Sequence, residues 1–312
     1  MSTAPGLVVV APCFNEGEVA VRFVRELEAV VANLPVQSLI LLVDDASMDD
    51  TLERLAGLST SSANVGLEVL SLRYNTGHQQ AIYQGLLRAH ELCPAHIVVM
   101  DSDGEDDPAA IPAMWTADRR GIVLVNRGRR KESWRFKLGY AVYRRLFRII
   151  TGRSLSFGNY SMIDGAVLEG VIDRGFVHYA AFLSKLRVPV SSVTFDRRQR
   201  LDGRSKMSFK SLSIHAFRSL IEYSDEVLEL LLKAFFGLAL LAVLSICYIV
   251  SVKLFTSWAI PGWASILSVS LINSTLLCLG FFSVGLLLAN SQQRQERARK
   301  AIYRVVQPRQ QA

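Results

Sequence analysis

The chain has 312 residues and a formal net charge of +7, with 50% hydrophobic and 20% charged residues. That length holds one large domain or two small ones, and its hydropathy is sharply uneven, which excludes a wholly soluble protein. Cys13, Cys93, Cys247 and Cys278 lack metal-ligand spacing and two of them fall in apolar runs, so all four are expected as reduced thiols.

The residues up to about Tyr223 read as a soluble α/β protein. Leu7 to Ala11, Leu39 to Val43, Leu67 to Leu72, Ile97 to Met100 and Ile122 to Val125 are short and rich in Val, Ile and Leu, as strands buried on both faces are. Between them Glu18 to Leu34, Asp50 to Leu58, Gly77 to His90 and Pro108 to Ala117 show helical spacing. Such alternation predicts right-handed crossovers and a mainly parallel sheet, whose ligands bind beyond the carboxyl ends of the strands. Polar clusters stand there: Pro12-Cys13-Phe14-Asn15-Glu16, Asp44-Asp45-Ala46-Ser47, Arg73-Tyr74-Asn75-Thr76-Gly77, and the run from Asp101 to Asp107. No Gly-x-x-x-x-Gly-Lys-Ser/Thr loop is present and no Gly-x-Gly-x-x-Gly follows the first strand, which disfavours a P-loop NTPase and a dinucleotide enzyme.

The run Asp101-Ser102-Asp103-Gly104-Glu105-Asp106-Asp107 puts five carboxylates into seven positions where a buried strand ends. Like charges so close repel unless they share a cation, so Asp101 and Asp103 are candidate ligands for Mg²⁺ or Mn²⁺, leaving coordination positions open for a substrate's phosphates.

Beyond Arg127 the character changes. Phe136, Tyr140, Tyr143, Phe147 and Ile150 recur at helical spacing, with Lys137, Arg144, Arg145 and Arg148 largely off that stripe, as in a basic helix lying at a membrane interface. Phe209 to Tyr223 predicts a second such helix. Between the two, the loop from Arg197 to Lys206 carries five cations in ten residues and reads as a phosphate grip. Residues 234–252 carry no charge, nor do residues 254–293, and each run is long enough to cross the hydrocarbon layer. Pro261-Gly262 gives a turn between them, with Trp258 and Trp263 as interfacial anchors. The tail holds Arg294, Arg297, Arg299, Lys300, Arg304 and Arg309 against Glu296, whereas the connecting loop is uncharged. The positive-inside rule therefore places the tail and the soluble α/β region in the cytoplasm, and Met1 to Gly6 does not read as a signal peptide. The concentration of positive charge in Arg127 to Arg153 and in the tail points to an anionic lipid surface or a phosphorylated lipid rather than to nucleic acid.

The order Pro12-x-x-Asn15-Glu16, Val43-Asp44-Asp45-x-Ser47-x-Asp49-x-Thr51, Asn75-x-Gly77 and Asp101-x-Asp103 resembles the inverting family 2 glycosyltransferases of GT-A fold. Arg200-x-x-Gly203-x-Ser205-Lys206 followed by a membrane hairpin is similar to the polyprenyl-phosphate glycosyltransferases, the dolichol-phosphate mannose synthase-like group. The resemblance covers nearly the whole chain and implies a GT-A domain over residues 1–208, a juxtamembrane helix over 209–226, two transmembrane helices over 227–292 and a basic cytoplasmic tail over 293–312. It implies a nucleotide-sugar donor, with UDP preferred over GDP, bound by Pro12, Asn15, Glu16, Asp44, Asp45, Ser47, Asn75, Gly77, Ser102 and Asp103. Asp101 and Asp103 would meet the metal-bound diphosphate; Arg127, Arg129, Arg200, Ser205 and Lys206 would contact phosphates of a polyprenyl-phosphate acceptor or of the donor. Relatives often carry an acid, proposed as the base, where this chain has Asn159, so Asn159 is expected to position a substrate while the lipid phosphate, already largely ionised near pH 7, attacks directly. Gly104-Glu105 likewise stands where relatives often have Leu-Gln. Rival readings are a glycan-polymerising synthase, disfavoured by the absence of Gln-x-x-Arg-Trp, a nucleotidyltransferase, which would leave the hairpin unexplained, and an inactive nucleotide-sugar-binding scaffold. A homo-oligomer stays open.

Overall fold

The computed structural model describes residues 4–117, 119–127, 145, 148, 157–196, 198, 221–255, 262–296 and 301–306. In chain order these form β1 (Leu7–Cys13), α1 (Gly17–Val31), β2 (Ser38–Asp44), α2 (Thr51–Ala56), β3 (Val65–Leu72), α3 (His78–Glu91), β4 (His96–Val99), α4 (Ala110–Thr116), β5 (Ile122–Arg127), β6 (Phe157–Asp164), α5 (Gly165–Arg174), α6 (Tyr179–Lys185), β7 (Val190–Phe195), α7 (Ser224–Phe255), α8 (Trp263–Glu296) and β8 (Tyr303–Val306). Residues 1–142, 154–222 and 299–312 make one compact unit, and residues 143–153 and 223–298 a second.

The first unit is built on a sheet of order β7-β5-β6-β4-β1-β2-β3-β8. Successive strand side chains point to opposite faces, and β1 is apolar at nearly every position, so it feeds two cores at once. Leu7, Val9 and Ala11 pack with Ile40, Leu42, Phe23, Leu27, Leu55, Ile111 and Met114, under α1, α2 and α4. Val8 and Val10 pack with Leu41, Val43, Ile82, Leu86, Leu168, Val171 and Phe182, under α3, α5 and α6. The result is a three-layer α/β arrangement, built on the expected, mainly parallel sheet.

The pairs β1/β2, β1/β4, β2/β3 and β5/β7 are parallel, as crossovers require. The pairs β4/β6, β5/β6 and β3/β8 are antiparallel. The chain leaves β1 for β2 on one side and reaches β4 on the other, which opens a switch point beyond the carboxyl ends of β1 and β4. The expected strands and first four helices are present. Three strands fall outside the expected set: β6, β7 and, within the basic tail, β8.

The second unit contains two long helices. At 32 and 34 residues, α7 and α8 extend about 50 Å each at 1.5 Å per residue, enough to cross a bilayer. Their apolar side chains face outward, with Phe236, Leu240, Leu254, Phe281 and Leu287 each more than 60% exposed. A Leu or Phe left in water forfeits about 1.5–3 kcal/mol of burial free energy, so this surface suits hydrocarbon and not the core of a soluble protein. A Cβ on Gly285 would lie 2.4 Å from Leu228 Cδ2, so the glycine permits close contact between the end of α8 and the start of α7, as an antiparallel hairpin requires. The two expected interfacial helices lie outside the described residues, apart from Arg145, Arg148 and residues 221–223.

Candidate functional site

The loops that leave β1, β2, β3 and β4 converge, and each is held by hydrogen bonds from another. After β1, Asn15 takes a left-handed backbone (φ +51°), a conformation asparagine tolerates better than most residues. Its N–H donates to Ser47 Oγ at 2.9 Å, and its Oδ1 accepts the Met48 N–H at 2.8 Å. The Glu16 and Gly17 N–H groups donate to Thr51 Oγ1 at 3.0 and 2.7 Å. Asn15 and Thr51 thereby lock the first loop to the one after β2.

Asp44 and Asp45 end β2 with different tasks. The buried Asp45 accepts the Thr76 N–H (2.7 Å), the Thr76 hydroxyl (2.9 Å) and the Gly77 N–H (2.8 Å). Asn75 Nδ2 donates to the Asp45 carbonyl at 3.1 Å. Asp45 and Asn75 thus shape the loop that starts α3, with Gly77 at φ +84° and no atom within 4 Å of where its Cβ would stand. Asp44 is also buried and accepts the Ser47 N–H; burial raises its pKa while the hydrogen bonds from Ser47 oppose the rise.

Beyond β4, the Ser102 hydroxyl bridges the Pro12 carbonyl, at 2.7 Å, and the Glu16 carboxyl. This ties the acidic run to the first loop across the switch point. Asp103 Oδ1 accepts the Glu105 N–H (2.9 Å), and Asp106 Oδ2 accepts the Asp101 N–H (3.0 Å), so the run folds into a tight turn. Burial lifts the Glu16 pKa from 4.5 to about 7, and the negative charges of Asp103 and Asp101 add to the rise against the Ser102 hydrogen bond. An excess of negative potential of this kind is what a divalent cation neutralises. Among the described residues no three His, Cys, Asp or Glu groups form a metal cage by themselves. The donor set, carboxylate oxygens with few protein ligands, fits a hard cation such as Mg²⁺ or Mn²⁺ that takes its remaining ligands from water and substrate phosphate.

Two residues that sequence reasoning did not single out, His78 and Gln79, complete the cluster together with Arg198 of the loop read as a phosphate grip. His78, at the start of α3, places Nε2 3.2 Å from Asp101 Oδ1 and 2.9 Å from the Asn159 amide nitrogen. Gln79 accepts the Tyr179 N–H at 2.6 Å and reaches Asn159 Oδ1 at 3.5 Å. Arg198 donates its N–H to the Glu105 carbonyl (3.0 Å) and its guanidinium to Asp107 (2.8 Å) and Glu26 (3.0 Å). The one signal for His78 and Gln79 was position: they open a helix directly after a strand-end loop, where first-turn groups face a site.

Of the expected site residues, the structure therefore brings together Pro12, Asn15, Glu16, Asp44, Asp45, Ser47, Asn75, Gly77, Asp101, Ser102, Asp103 and Asn159. Arg127 is the last residue of β5. Arg129, Arg200, Ser205 and Lys206 lie outside the described residues.

The sequence model described as "Glycosyl transferase family 2" matches residues 8–166. An uncharacterized glycosyltransferase, YkoT, of Bacillus subtilis is 29% identical over 238 residues, covering 70% of this chain and 68% of that protein. The undecaprenyl-phosphate 4-deoxy-4-formamido-L-arabinose transferase of Klebsiella pneumoniae is 28% identical over 216 residues, covering 65% of this chain and 63% of that protein. Among solved structures, glucosyl-3-phosphoglycerate synthase of Mycobacterium tuberculosis, in complex with Mn²⁺, uridine-diphosphate-glucose and phosphoglyceric acid, is 16% identical with a TM-score of 0.51, covering 72% of this chain and 80% of that one. The family match spans the strands and loops that assemble this site, and the chain belongs to glycosyl transferase family 2 as a glycosyltransferase of GT-A fold.

Proposed function

We propose that this glycosyltransferase moves a hexose from UDP to the phosphate of a membrane polyprenyl phosphate, with inversion at the anomeric carbon, giving a polyprenyl-phosphate sugar for glycan assembly or glycosylation. The observation that carries the reading is the pairing, in one chain, of a strand-end site rich in carboxylates with two helices that expose apolar surface along their length. The named acceptor of a relative 28% identical supports the lipid phosphate. The choice of UDP rests on the resemblance of the motifs.

In this reading Asp44, with Pro12, Asn15, Ser47 and the Asp45-shaped loop, receives the nucleoside. Asp101 and Asp103 hold the divalent cation, Mg²⁺ or Mn²⁺, whose chemistry is to neutralise charge on the departing diphosphate. The acceptor phosphate oxygen forms the new bond to the anomeric carbon as the bond to the UDP oxygen breaks on the opposite face. A phosphate monoester with its second pKa near 6 is already largely a dianion at neutral pH, so no carboxylate base is needed and Asn159 suffices to orient it. Arg127, Arg129, Arg200, Ser205 and Lys206 supply cations and a hydroxyl for the phosphates. The hairpin of α7 and α8 holds the enzyme at the bilayer, with the catalytic unit and both ends of the chain on the cytoplasmic side. The pairing of β8 with β3 supports this topology, because segments before and after the hairpin then share one sheet.

The test is incubation of the purified full-length protein with labelled UDP-hexoses or GDP-mannose, Mg²⁺ or Mn²⁺, and polyprenyl phosphate. Label is expected in the organic phase, lost on chelation, and lowered about 100-fold or more in kcat by Asp101→Ala or Asp103→Ala. Label accumulating in polymer, or turnover indifferent to chelator, would overturn the reading.

A further inference from the structure

We propose that His78 is a positioning residue that ties the first aspartate of the acidic run to Asn159, so that cation binding and acceptor binding are coupled through one imidazole; this rests on the transfer reaction proposed above. The β4/β6 ladder pairs Val99 with Ser161 in antiparallel register, and Asp101 and Asn159 each lie two residues beyond that last pair. Past the end of the ladder a third group can join their polar ends. His78 supplies that group. Its Nε2 is 3.2 Å from Asp101 Oδ1 and 2.9 Å from the Asn159 amide nitrogen.

The imidazole is itself placed by the fold. Gly77, at φ +84°, turns the chain into α3, and both Gly77 and Thr76 are pinned to Asp45 by their N–H groups. The next residue, Gln79, contacts the same Asn159 amide at 3.5 Å while accepting the buried Tyr179 N–H at 2.6 Å. Two consecutive residues of α3 therefore hold Asn159 from one side, and only His78 also reaches Asp101. A side chain that merely fastened α3 to β6 would not need the contact to Asp101. In the proposed reaction Asp101 belongs to the donor half and Asn159 to the acceptor half, and His78 fixes the distance between them.

The experiment uses the full chain in detergent and reads Mn²⁺ binding by electron paramagnetic resonance in the presence of UDP, alongside the KM for polyprenyl phosphate. His78→Ala is expected to weaken Mn²⁺ about 10-fold and to raise the acceptor KM. Asn159→Ala is expected to raise the acceptor KM and leave the Mn²⁺ Kd within about twofold of wild type. His78→Gln, whose amide nitrogen can donate to Asp101 Oδ1 but cannot accept the Asn159 amide N–H, should recover most of the Mn²⁺ affinity and little of the acceptor KM. The double variant H78A/N159A should have an acceptor KM no worse than His78→Ala alone. An Mn²⁺ Kd unmoved by His78→Ala in a protein with wild-type thermal midpoint would overturn the proposal, as would multiplicative KM effects in the double variant. Failure of the wild type to glycosylate the lipid would instead sink the function proposed above, and the Mn²⁺ measurement, which needs no acceptor, would still decide the link between His78 and Asp101.

Discussion

Glu16 shows how a single side chain can report the charge balance of the whole site. Its carboxyl is largely buried, bonded to the Ser102 hydroxyl, and close enough to Asp103 and Asp101 to feel both. Its folded pKa is raised to about 7 from 4.5, so the folded state binds the proton more tightly than the unfolded chain does. The stabilisation this gives is fully present below about pH 4.5 and is lost as pH rises through about 7. Glu16→Gln keeps a neutral polar group there and removes that dependence. In metal-free protein the variant should gain on wild type by up to about 3 kcal/mol between pH 4.5 and pH 8. Thermal unfolding of both proteins across that range reads the difference directly. Added Mn²⁺ at pH 8 should narrow the gap by stabilising wild type. A gap that does not widen with pH would mean that Glu16 is ionised at no cost in the fold.

At the scale of elements, α3 decides where His78 and Gln79 stand, and its seat on the sheet is set by Gly85. A Cβ there would lie 2.4 Å from Val10 Cγ1 and 2.8 Å from Val43 Cγ2, both on fully buried strand residues. Gly85→Ala must therefore lift the helix or push β1 and β2 aside, at about 1–3 kcal/mol. Because the first turn of α3 opens into the site, activity should fall along with the thermal midpoint. Val10→Ala opens space at the same point, so the double variant should be more stable than the sum of the single changes predicts, by about 1 kcal/mol, in unfolding measurements. Strict additivity would show that α3 is positioned elsewhere.

Gly85 also marks the boundary of what the amino-acid order discloses. The five strands expected from Val, Ile and Leu runs, the four helices between them and the polar strand ends are local signals, and the structure contains them all. The strand β6, Phe157-Gly-Asn-Tyr-Ser-Met-Ile-Asp, mixes polar and apolar residues because it runs antiparallel beside the site, and its pairing with β4 is a non-local choice. His78 was hidden for the same reason: its partners Asp101 and Asn159 lie 23 and 81 residues away and meet it through sheet order alone. The close approach of α3 to the sheet at Gly85 is invisible without the packed neighbours.

At the scale of the whole molecule, the chain that leaves the catalytic unit through α7 and α8 comes back to it. Tyr303 to Val306 pair antiparallel with Leu72 to Val69, and the flanking Ile302 N–H donates to the buried Gln84 Oε1 at 3.0 Å. The Ile302 carbonyl accepts the Arg73 N–H at 3.2 Å, and the Tyr303 hydroxyl donates to Glu91 at 2.8 Å. Arg73 belongs to the loop that follows β3 and leads to Gly77, so the returning strand braces the loop that presents His78. Deleting residues 299–312 strips β8 from the sheet and leaves β3 as an open edge, a surface prone to pair with other chains. Four residues of ladder and the bonds to Gln84 and Glu91 together are on the order of 2–4 kcal/mol. The truncated protein should keep both apolar helices, yet unfold several degrees lower and self-associate on warming. Thermal unfolding followed by light scattering in detergent measures both. A truncation with the wild-type midpoint and no added scattering would mean that the sheet closes at β3 and that the tail only rests against it.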